Sequence, residues 1–207
     1  MVAAVISSAI PPVEAEVRLP PARDFAGNGT APRAPHPHYH VPPMQTTVPI
    51  AANARGLRIG IATSRYHEGV TSRLMKGAQD AFLAAGGSAD DLMLVDAPGS
   101  FELVAIAHAL AARSDIDAVV CIGCVLTGET THDQYICQAV AAGLAAITAQ
   151  SGKPVAFGVL TCQNIAQAEA RAGGDRGNKG VEAMQAAVIA AQAVGRVHRM
   201  PLGRPAT

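Results

Sequence analysis

The chain has 207 residues, a formal net charge of +0 and 15% charged residues, which gives no electrostatic case for binding nucleic acid. No apolar run approaches the roughly 20 residues that cross a bilayer, and the first ten residues lack the basic region of a secretory signal. Apolar residues make up 49% of the chain but aromatic residues only 3%, so small aliphatic side chains are expected to form the core. We therefore expect a cytoplasmic protein, without a membrane partner, that binds a small molecule or another protein.

The first fifty residues contain ten of the fourteen prolines and show no helical or strand period. This composition predicts a disordered extension over residues 1–47. An alternative is that translation starts at Met44 and that the preceding residues do not belong to the protein. Residues 47–50 are expected to be extended and to add to the edge of a sheet, because Pro49 suits only an edge strand. Residues 199–207 are expected to form a flexible tail.

From residue 57 onward, short apolar runs alternate with longer segments of helical spacing. The runs predict strands over 57–62, 92–96, 117–122 and 154–160, and the longer segments predict helices over 68–85, 100–113, 131–150, 165–172 and 178–197. Paired glycines at 86–87 and 173–174 are expected to end helices. Repeated strand and helix units predict one α/β domain over residues 48–198, with a four-stranded parallel sheet between two helical layers.

Polar and aromatic side chains cluster where the predicted strands end. The carboxyl ends of parallel strands share one edge of the sheet, where such proteins bind ligands. Tyr66 is able to stack on a flat ring, and Glu102 can accept hydrogen bonds from hydroxyls or amines. The amides of residues 128–130 are placed to bind a phosphate at a helix N-terminus. His132 follows, and histidine exchanges a proton near neutral pH. The pattern predicts a site for a polar, ring-shaped ligand.

Each of these residues also has an ordinary structural interpretation. Tyr66 fits a rim aromatic, and Glu102 fits a first-turn carboxylate that the helix dipole favours. Thr130 fits a helix N-cap, and His132 fits a surface histidine. Their occurrence together on one edge favours a binding site over independent coincidences.

Two of the four cysteines, Cys121 and Cys124, have the spacing of a redox or half-zinc motif. No second pair completes a zinc site, and Cys121 falls within a predicted buried strand. Reduced core thiols are the better interpretation, so we expect no bound metal. A thiol-redox or metal protein remains an alternative.

Four segments match one known family in order and spacing: residues 99–103 (GSFEL), 123–132 (GCVLTGETTH), 157–161 (FGVLT) and 171–180 (RAGGDRGNKG). They resemble the motifs of the 6,7-dimethyl-8-ribityllumazine synthase family, and the resemblance covers about residues 48–194. It implies a flavodoxin-like fold and a transferase without a cofactor, in the penultimate step of riboflavin biosynthesis. The family condenses 5-amino-6-(D-ribitylamino)uracil with 3,4-dihydroxy-2-butanone 4-phosphate.

The resemblance also implies a role for individual residues. His132 matches the proton donor and acceptor. The positions that contact ribitylaminouracil are Tyr66, Ser100, Phe101, Glu102, Cys124, Val125, Leu126 and Phe157. The positions that bind the butanone phosphate are Glu129, Thr130 and Arg171. In the family, the residues matching Phe157 and Arg171 come from the neighbouring subunit.

Some positions depart from the family pattern. Thr127 stands where many members have Arg, and His67 where Asn is common. Asp133 and Gln134 replace an aromatic and acidic pair. Asp175 stands where a basic residue often sits, and we expect it to point away from the phosphate.

The resemblance further implies a homopentamer in which the N-terminal segment adds to a neighbour's sheet. Some members assemble twelve pentamers into a hollow shell. The 171–180 segment has no insertion, which favours a shell, whereas the long extension is able to interfere with one. Association with riboflavin synthase is left open. The main alternative function is a non-catalytic flavin- or lumazine-binding assembly protein of the same fold.

Overall fold

The computed structural model describes residues 51–199. The predicted extension over residues 1–47, the predicted edge strand at 47–50 and residues 200–207 of the predicted tail lie outside this range. The helices and strands, in chain order, are β1 Ile59–Ser64, α1 Glu68–Ala84, a short 3-10 helix Ala89–Asp91, β2 Leu92–Ala97, α2 Leu103–Ala112, β3 Ala118–Leu126, α3 His132–Ser151, β4 Val155–Cys162, α4 Ile165–Arg171, β5 Ala172–Gly174, β6 Gly177–Asn178 and α5 Lys179–Arg199.

The four long strands form one parallel sheet in the order β2-β1-β3-β4. The chain moves from β1 outward to β2, and then returns past β1 to β3 on its other side. The switch point of the sheet therefore lies between β1 and β3, where doubly wound proteins bind their ligands. The predicted four-stranded parallel sheet is confirmed.

Helices cover both faces of this sheet. Ile59 and Ile61 of β1 belong to a core shared with α1 and α5, in which Phe82 is the largest fully buried side chain. Ala62, on the opposite face of β1, belongs to a second core shared with α2 and α3. Successive strand residues point to opposite faces, so one apolar strand feeds both cores. This arrangement confirms the predicted three-layer architecture.

β3 is longer than predicted. It continues through Gly123 to Leu126, pairing in register with β4 as far as Cys162. The predicted end of this strand at residue 122 is therefore wrong. Gly123 is buried inside the strand, where a side chain would collide with neighbouring residues. Glycine provides close approach here, not a turn.

The paired glycines behave differently from one another. Gly86 follows α1 with φ 88, as expected for a helix stop. Gly173 and Gly174 instead belong to β5, which pairs with β6 in a short antiparallel hairpin that was not predicted.

None of the helices within residues 51–199 is long and apolar enough to cross a membrane.

Candidate active site

A cavity of about 980 Å³ lies at the carboxyl ends of the strands, beside the switch point. It brings together nine of the twelve predicted site residues, which are Tyr66, Ser100, Phe101, Glu102, Cys124, Val125, Leu126, Thr130 and His132. The connections after β1, β2 and β3 each contribute to its wall. Residues far apart in sequence therefore meet at the edge where the sequence predicted a site.

The aromatic residues are concentrated around this cavity. Residues 51–199 contain five Phe and Tyr residues, of which Phe82 is in the core. Tyr66, Phe101 and Tyr135 line the cavity and are 66%, 57% and 69% exposed. Aromatic rings are normally used to fill a core, and this core contains few of them. Three exposed rings around one cavity indicate that it receives a flat, partly apolar ligand.

Ser100 carries an unpaired polar atom into this region. The residue is buried, and its hydroxyl oxygen has no hydrogen-bond partner among the described residues. It packs against Gly123, where an added Cβ would lie 2.7 Å from Ser100 Oγ. Buried hydroxyls are normally hydrogen-bonded, so a ligand group at this oxygen would satisfy it.

Glu102 keeps its carboxylate free of the following helix. It is the N-cap residue of α2, yet its side chain makes no capping hydrogen bond. The carboxylate folds over Gly99, where an added Cβ would lie 2.9 Å from Glu102 Oε2. The exposed carboxylate therefore remains available to accept hydrogen bonds from a ligand.

The turn after β3 leads directly to His132, the first residue of α3. The N-cap of α3 is Thr131, so the interpretation of Thr130 as the N-cap is wrong. The Thr130 hydroxyl instead accepts a hydrogen bond from the His132 backbone N–H at 3.4 Å. Glu129 is exposed in this turn, between Gly128 and Thr130, which both line the cavity. The turn thus brings Thr130 and His132 to the wall of the same cavity.

Phe157 and Arg171 do not reach this cavity. They line a second cavity of about 500 Å³, which is formed by β4 and by the start of α5, including its first residue Lys179. Arg171 donates a hydrogen bond from Nη1 to the Gln167 carbonyl oxygen at 3.0 Å, which holds one terminal nitrogen of its guanidinium. Asp175 is exposed and lies outside this second cavity. His132 and Arg171 therefore lie on different surfaces of the chain.

The Cys-X-X-Cys spacing has a structural explanation. Cys121 packs in the core beneath α2 and α3, whereas Cys124 packs in the core beneath α1 and α5. The two side chains point to opposite faces of β3, so they cannot hold one metal ion together. Burial raises the pKa of Cys121 to about 12, and burial with the neighbouring Cys162 raises the pKa of Cys124 to about 11. Both thiols favour the neutral form, which opposes redox use.

Sequence reasoning missed several residues of the cavity wall. Tyr135, Ile136 and Ala139 line it from α3. They follow His132 by three, four and seven positions, and this helical spacing was the signal that would have found them. Asp133 borders the cavity too, and its Oδ1 is buried without a partner among the described residues. Within residues 51–199, no group of three His, Cys, Asp or Glu side chains is arranged to hold a metal ion.

The fold and the cavity together define a doubly wound, flavodoxin-like α/β protein with a small-molecule site at its switch point. The family model described as 6,7-dimethyl-8-ribityllumazine synthase matches residues 56–194, and the chain belongs to this family. The family expected from the four sequence motifs is thereby confirmed.

Relatives that carry this name come from several organisms. A 6,7-dimethyl-8-ribityllumazine synthase of Porphyromonas gingivalis is 47% identical over 129 residues, covering 62% of this chain and 80% of the relative. Those of Thermus thermophilus and Aquifex aeolicus are each 44% identical over 135 residues, or 65% of this chain. These matches cover 86% and 88% of the relatives, so the similarity extends over most of each of them.

Proposed function

We propose that the chain condenses 5-amino-6-(D-ribitylamino)uracil with 3,4-dihydroxy-2-butanone 4-phosphate to give 6,7-dimethyl-8-ribityllumazine, releasing phosphate and water. The observation that carries this proposal is the meeting of nine predicted site residues, His132 among them, in one cavity at the switch point. The family assignment over residues 56–194 supports the same reaction. We further propose that this transferase acts in the cytoplasm, in riboflavin biosynthesis.

The reaction is mainly a sequence of proton transfers between two positioned substrates. An amine of the uracil attacks the ketone, and a first water leaves to form an imine. Phosphate is then eliminated, and the resulting enol becomes a carbonyl. The ribityl-bearing nitrogen attacks this carbonyl and closes the second ring with loss of a second water. Holding two reactants in the correct geometry removes a large part of such a barrier. His132 is the exposed imidazole of the cavity and acts as the proton carrier.

The exposed rings and the buried hydroxyl suit the uracil substrate. Tyr66 stacks on the pyrimidine, and Phe101 covers the same region. Ser100 offers its unpaired hydroxyl, while the free carboxylate of Glu102 accepts hydrogen bonds from ribityl hydroxyls. Residues 124–126 are the last residues of β3 and line the cavity. They contact the pyrimidine largely through their backbone.

The phosphate requires a cation that one subunit does not place in this cavity. The turn at Glu129 and Thr130 offers backbone amides at the N-terminus of α3. No Lys or Arg within residues 51–199 lines the cavity, however. Arg171, from the second cavity of a neighbouring subunit, supplies that charge, and Phe157 of the same neighbour contacts the uracil.

A shared site of this kind requires an oligomer, and we propose a homopentamer. Twelve pentamers assembled into a shell, and association with riboflavin synthase, are extensions of the same proposal. Light scattering of the purified chain distinguishes a pentamer from a shell by mass.

The reaction is tested by mixing both substrates with the purified chain and following lumazine fluorescence together with phosphate release. We expect both signals to rise faster than in the spontaneous condensation, and to rise together. The matched control is the His132→Asn variant at the same concentration. Absence of any acceleration would contradict the proposal. Tight lumazine binding without acceleration would instead support the non-catalytic binding protein.

A further inference from the structure

The turn between β1 and α1 contains an unusual backbone conformation. His67 has φ 58 and ψ 46, and it is the one non-glycine residue with a positive φ among residues 51–199. Glycine adopts this left-handed conformation most readily, and Asn, Asp and His adopt it more often than other residues. Backbone outliers of this kind cluster at functional sites.

Helix capping does not account for histidine at this position. His67 is the N-cap residue of α1, but its side chain makes no capping hydrogen bond. Its backbone carbonyl oxygen accepts hydrogen bonds from the N–H groups of Val70 at 2.8 Å and Thr71 at 3.1 Å. Any residue would supply that carbonyl, whereas Asn or Asp would add a side-chain cap. The imidazole therefore contributes nothing to the start of α1.

The imidazole instead contacts the ring of Tyr66. The two ring centroids lie 4.7 Å apart with an interplanar angle of 76°, which is the edge-to-face arrangement that aromatic pairs favour. Both side chains line the cavity, and His67 is half-buried there. The left-handed backbone thus directs a second ring against the exposed ring proposed to stack on the substrate.

The surrounding turn holds the backbone of Tyr66 but not its ring. The Arg65 N–H donates to the Ala97 carbonyl oxygen at 2.7 Å, and the Tyr66 N–H donates to Ser64 Oγ at 3.3 Å. The Tyr66 hydroxyl has no hydrogen-bond partner among the described residues, and the residue is 66% exposed. The edge-to-face contact with His67 therefore restricts a ring that no side-chain hydrogen bond holds among the described residues.

We propose that His67 is a positioning residue for the pyrimidine substrate. It holds the Tyr66 ring in the orientation that stacks on the pyrimidine, and it does so through the edge-to-face contact that its left-handed backbone permits. This inference rests on the proposed function, because it requires the cavity to receive ribitylaminouracil.

The test removes the imidazole while keeping the backbone conformation. Glycine and asparagine both tolerate the left-handed region, so His67→Gly and His67→Asn each delete the ring without imposing strain. We expect each variant to raise the KM for ribitylaminouracil by about two- to tenfold, the range that an aromatic pair contributes. The kcat and the KM for the butanone phosphate are expected to change by less than about twofold, since neither depends on this pair.

His108→Asn is the matched control, because His108 is exposed on α2 and lines none of the cavities described above.

A double-mutant cycle establishes whether His67 acts through Tyr66. In a Tyr66→Ala background, His67→Gly is expected to cause no further rise in KM, because the ring that it orients is gone. The dissociation constant of 6,7-dimethyl-8-ribityllumazine, followed by its fluorescence, provides a readout that does not need turnover. It is expected to change in the same pattern as the KM.

The outcomes separate this inference from the proposed function. If the wild-type chain accelerates condensation but His67→Asn retains wild-type KM and dissociation constant, the positioning role is overturned, whatever His67→Gly does. An equal rise in KM from His67→Gly with and without Tyr66 also overturns it. If the wild-type chain does not accelerate condensation, the proposed function fails, and the dissociation constants alone decide the role of His67.

Discussion

Gly123 of β3 and Ser100 of the β2-α2 connection are packed so closely that a methyl group at position 123 would lie 2.7 Å from Ser100 Oγ. The same methyl group would lie 3.2 Å from side-chain atoms of Leu103 and Val159. Ser100 lines the cavity, and so does Cys124, the residue that follows Gly123 in β3. The position of the Ser100 hydroxyl therefore depends on the absence of a side chain at Gly123.

The Gly123→Ala substitution is expected to destabilise the protein and weaken substrate binding together. Overpacking at a buried position costs about 1–3 kcal/mol in the free energy of unfolding. The displaced Ser100 hydroxyl should also raise the KM for ribitylaminouracil. Urea unfolding and steady-state kinetics measure the two effects.

Gly195→Ala is the control for this substitution. Gly195 lies in α5, where the atoms nearest to an added Cβ belong to the flexible Arg199 side chain, the first of them at 3.4 Å. Alanine in a helix is favoured over glycine by about 1 kcal/mol, so stability should be retained or rise slightly. A Gly123→Ala variant with wild-type stability and KM would show that the end of β3 relaxes without cost.

Substitution of His132 is expected to slow turnover with little effect on binding. A positioned general acid or base contributes about 10²-fold or more to a rate, so His132→Asn should lower kcat by about a hundredfold. The KM values should change little, because Asn keeps a polar, hydrogen-bonding side chain at this position and lacks only a group that exchanges protons near neutral pH. Steady-state kinetics with both substrates measures this, and His108→Asn should retain wild-type kcat. A His132→Asn variant with raised KM and unchanged kcat would make His132 a binding residue.

The layer order of this fold was predictable, but the strand ends were not. Apolar runs and helical spacing identify the strands and helices because they reflect which faces are buried. They cannot show that β3 continues through Gly123, because glycine has the same local signal in a turn and in a crowded strand. Only the register with β4 and the contact with Ser100 distinguish the two cases.

The candidate site was predictable in part for a similar reason. Tyr66, Glu102 and His132 follow three different strands, and the parallel topology alone brings them to one edge. The contribution of His67 was not predictable, because it depends on a backbone angle and on the orientation of a neighbouring ring. The separation of Arg171 from His132 depends on which surface each helix end faces, and at the level of the sequence only the family resemblance implied it.

The buried thiol of Cys121 predicts a loss of stability in alkaline solution. Burial raises its pKa from 9.0 to about 12. Between these values the unfolded chain releases the proton and the folded chain retains it. The contribution of this thiol to stability is therefore complete below pH 9 and decreases as the pH rises toward 12, by up to about 1.4 kcal/mol per pH unit. Urea unfolding at pH 8 and pH 10 measures the decrease.

The Cys121→Ala variant isolates that effect from other groups that titrate in the same range. Its cavity should lower stability at both pH values, but its decrease between pH 8 and pH 10 should be smaller than in the wild-type chain. An identical decrease in both proteins would show that the Cys121 thiol does not titrate differently on unfolding.

The division of His132 and Arg171 between two surfaces predicts complementation between defective subunits. Both His132→Asn and Arg171→Ala are expected to have low turnover when butanone phosphate is limiting. In an oligomer that contains both variants, a site with His132 from one subunit and Arg171 from its neighbour is intact. Random mixing of equal amounts should restore about a quarter of the wild-type sites.

The recovery is measured by co-expressing the two variants with different affinity tags and purifying the mixed oligomer through both tags. The mixed oligomer is then assayed at limiting butanone phosphate. The matched control is His132→Asn co-expressed under both tags, in which no intact site can form. If the mixed oligomer showed only the summed activity of the two variants, both residues would have to act within one subunit, because a site formed by a single chain always carries one of the two substitutions.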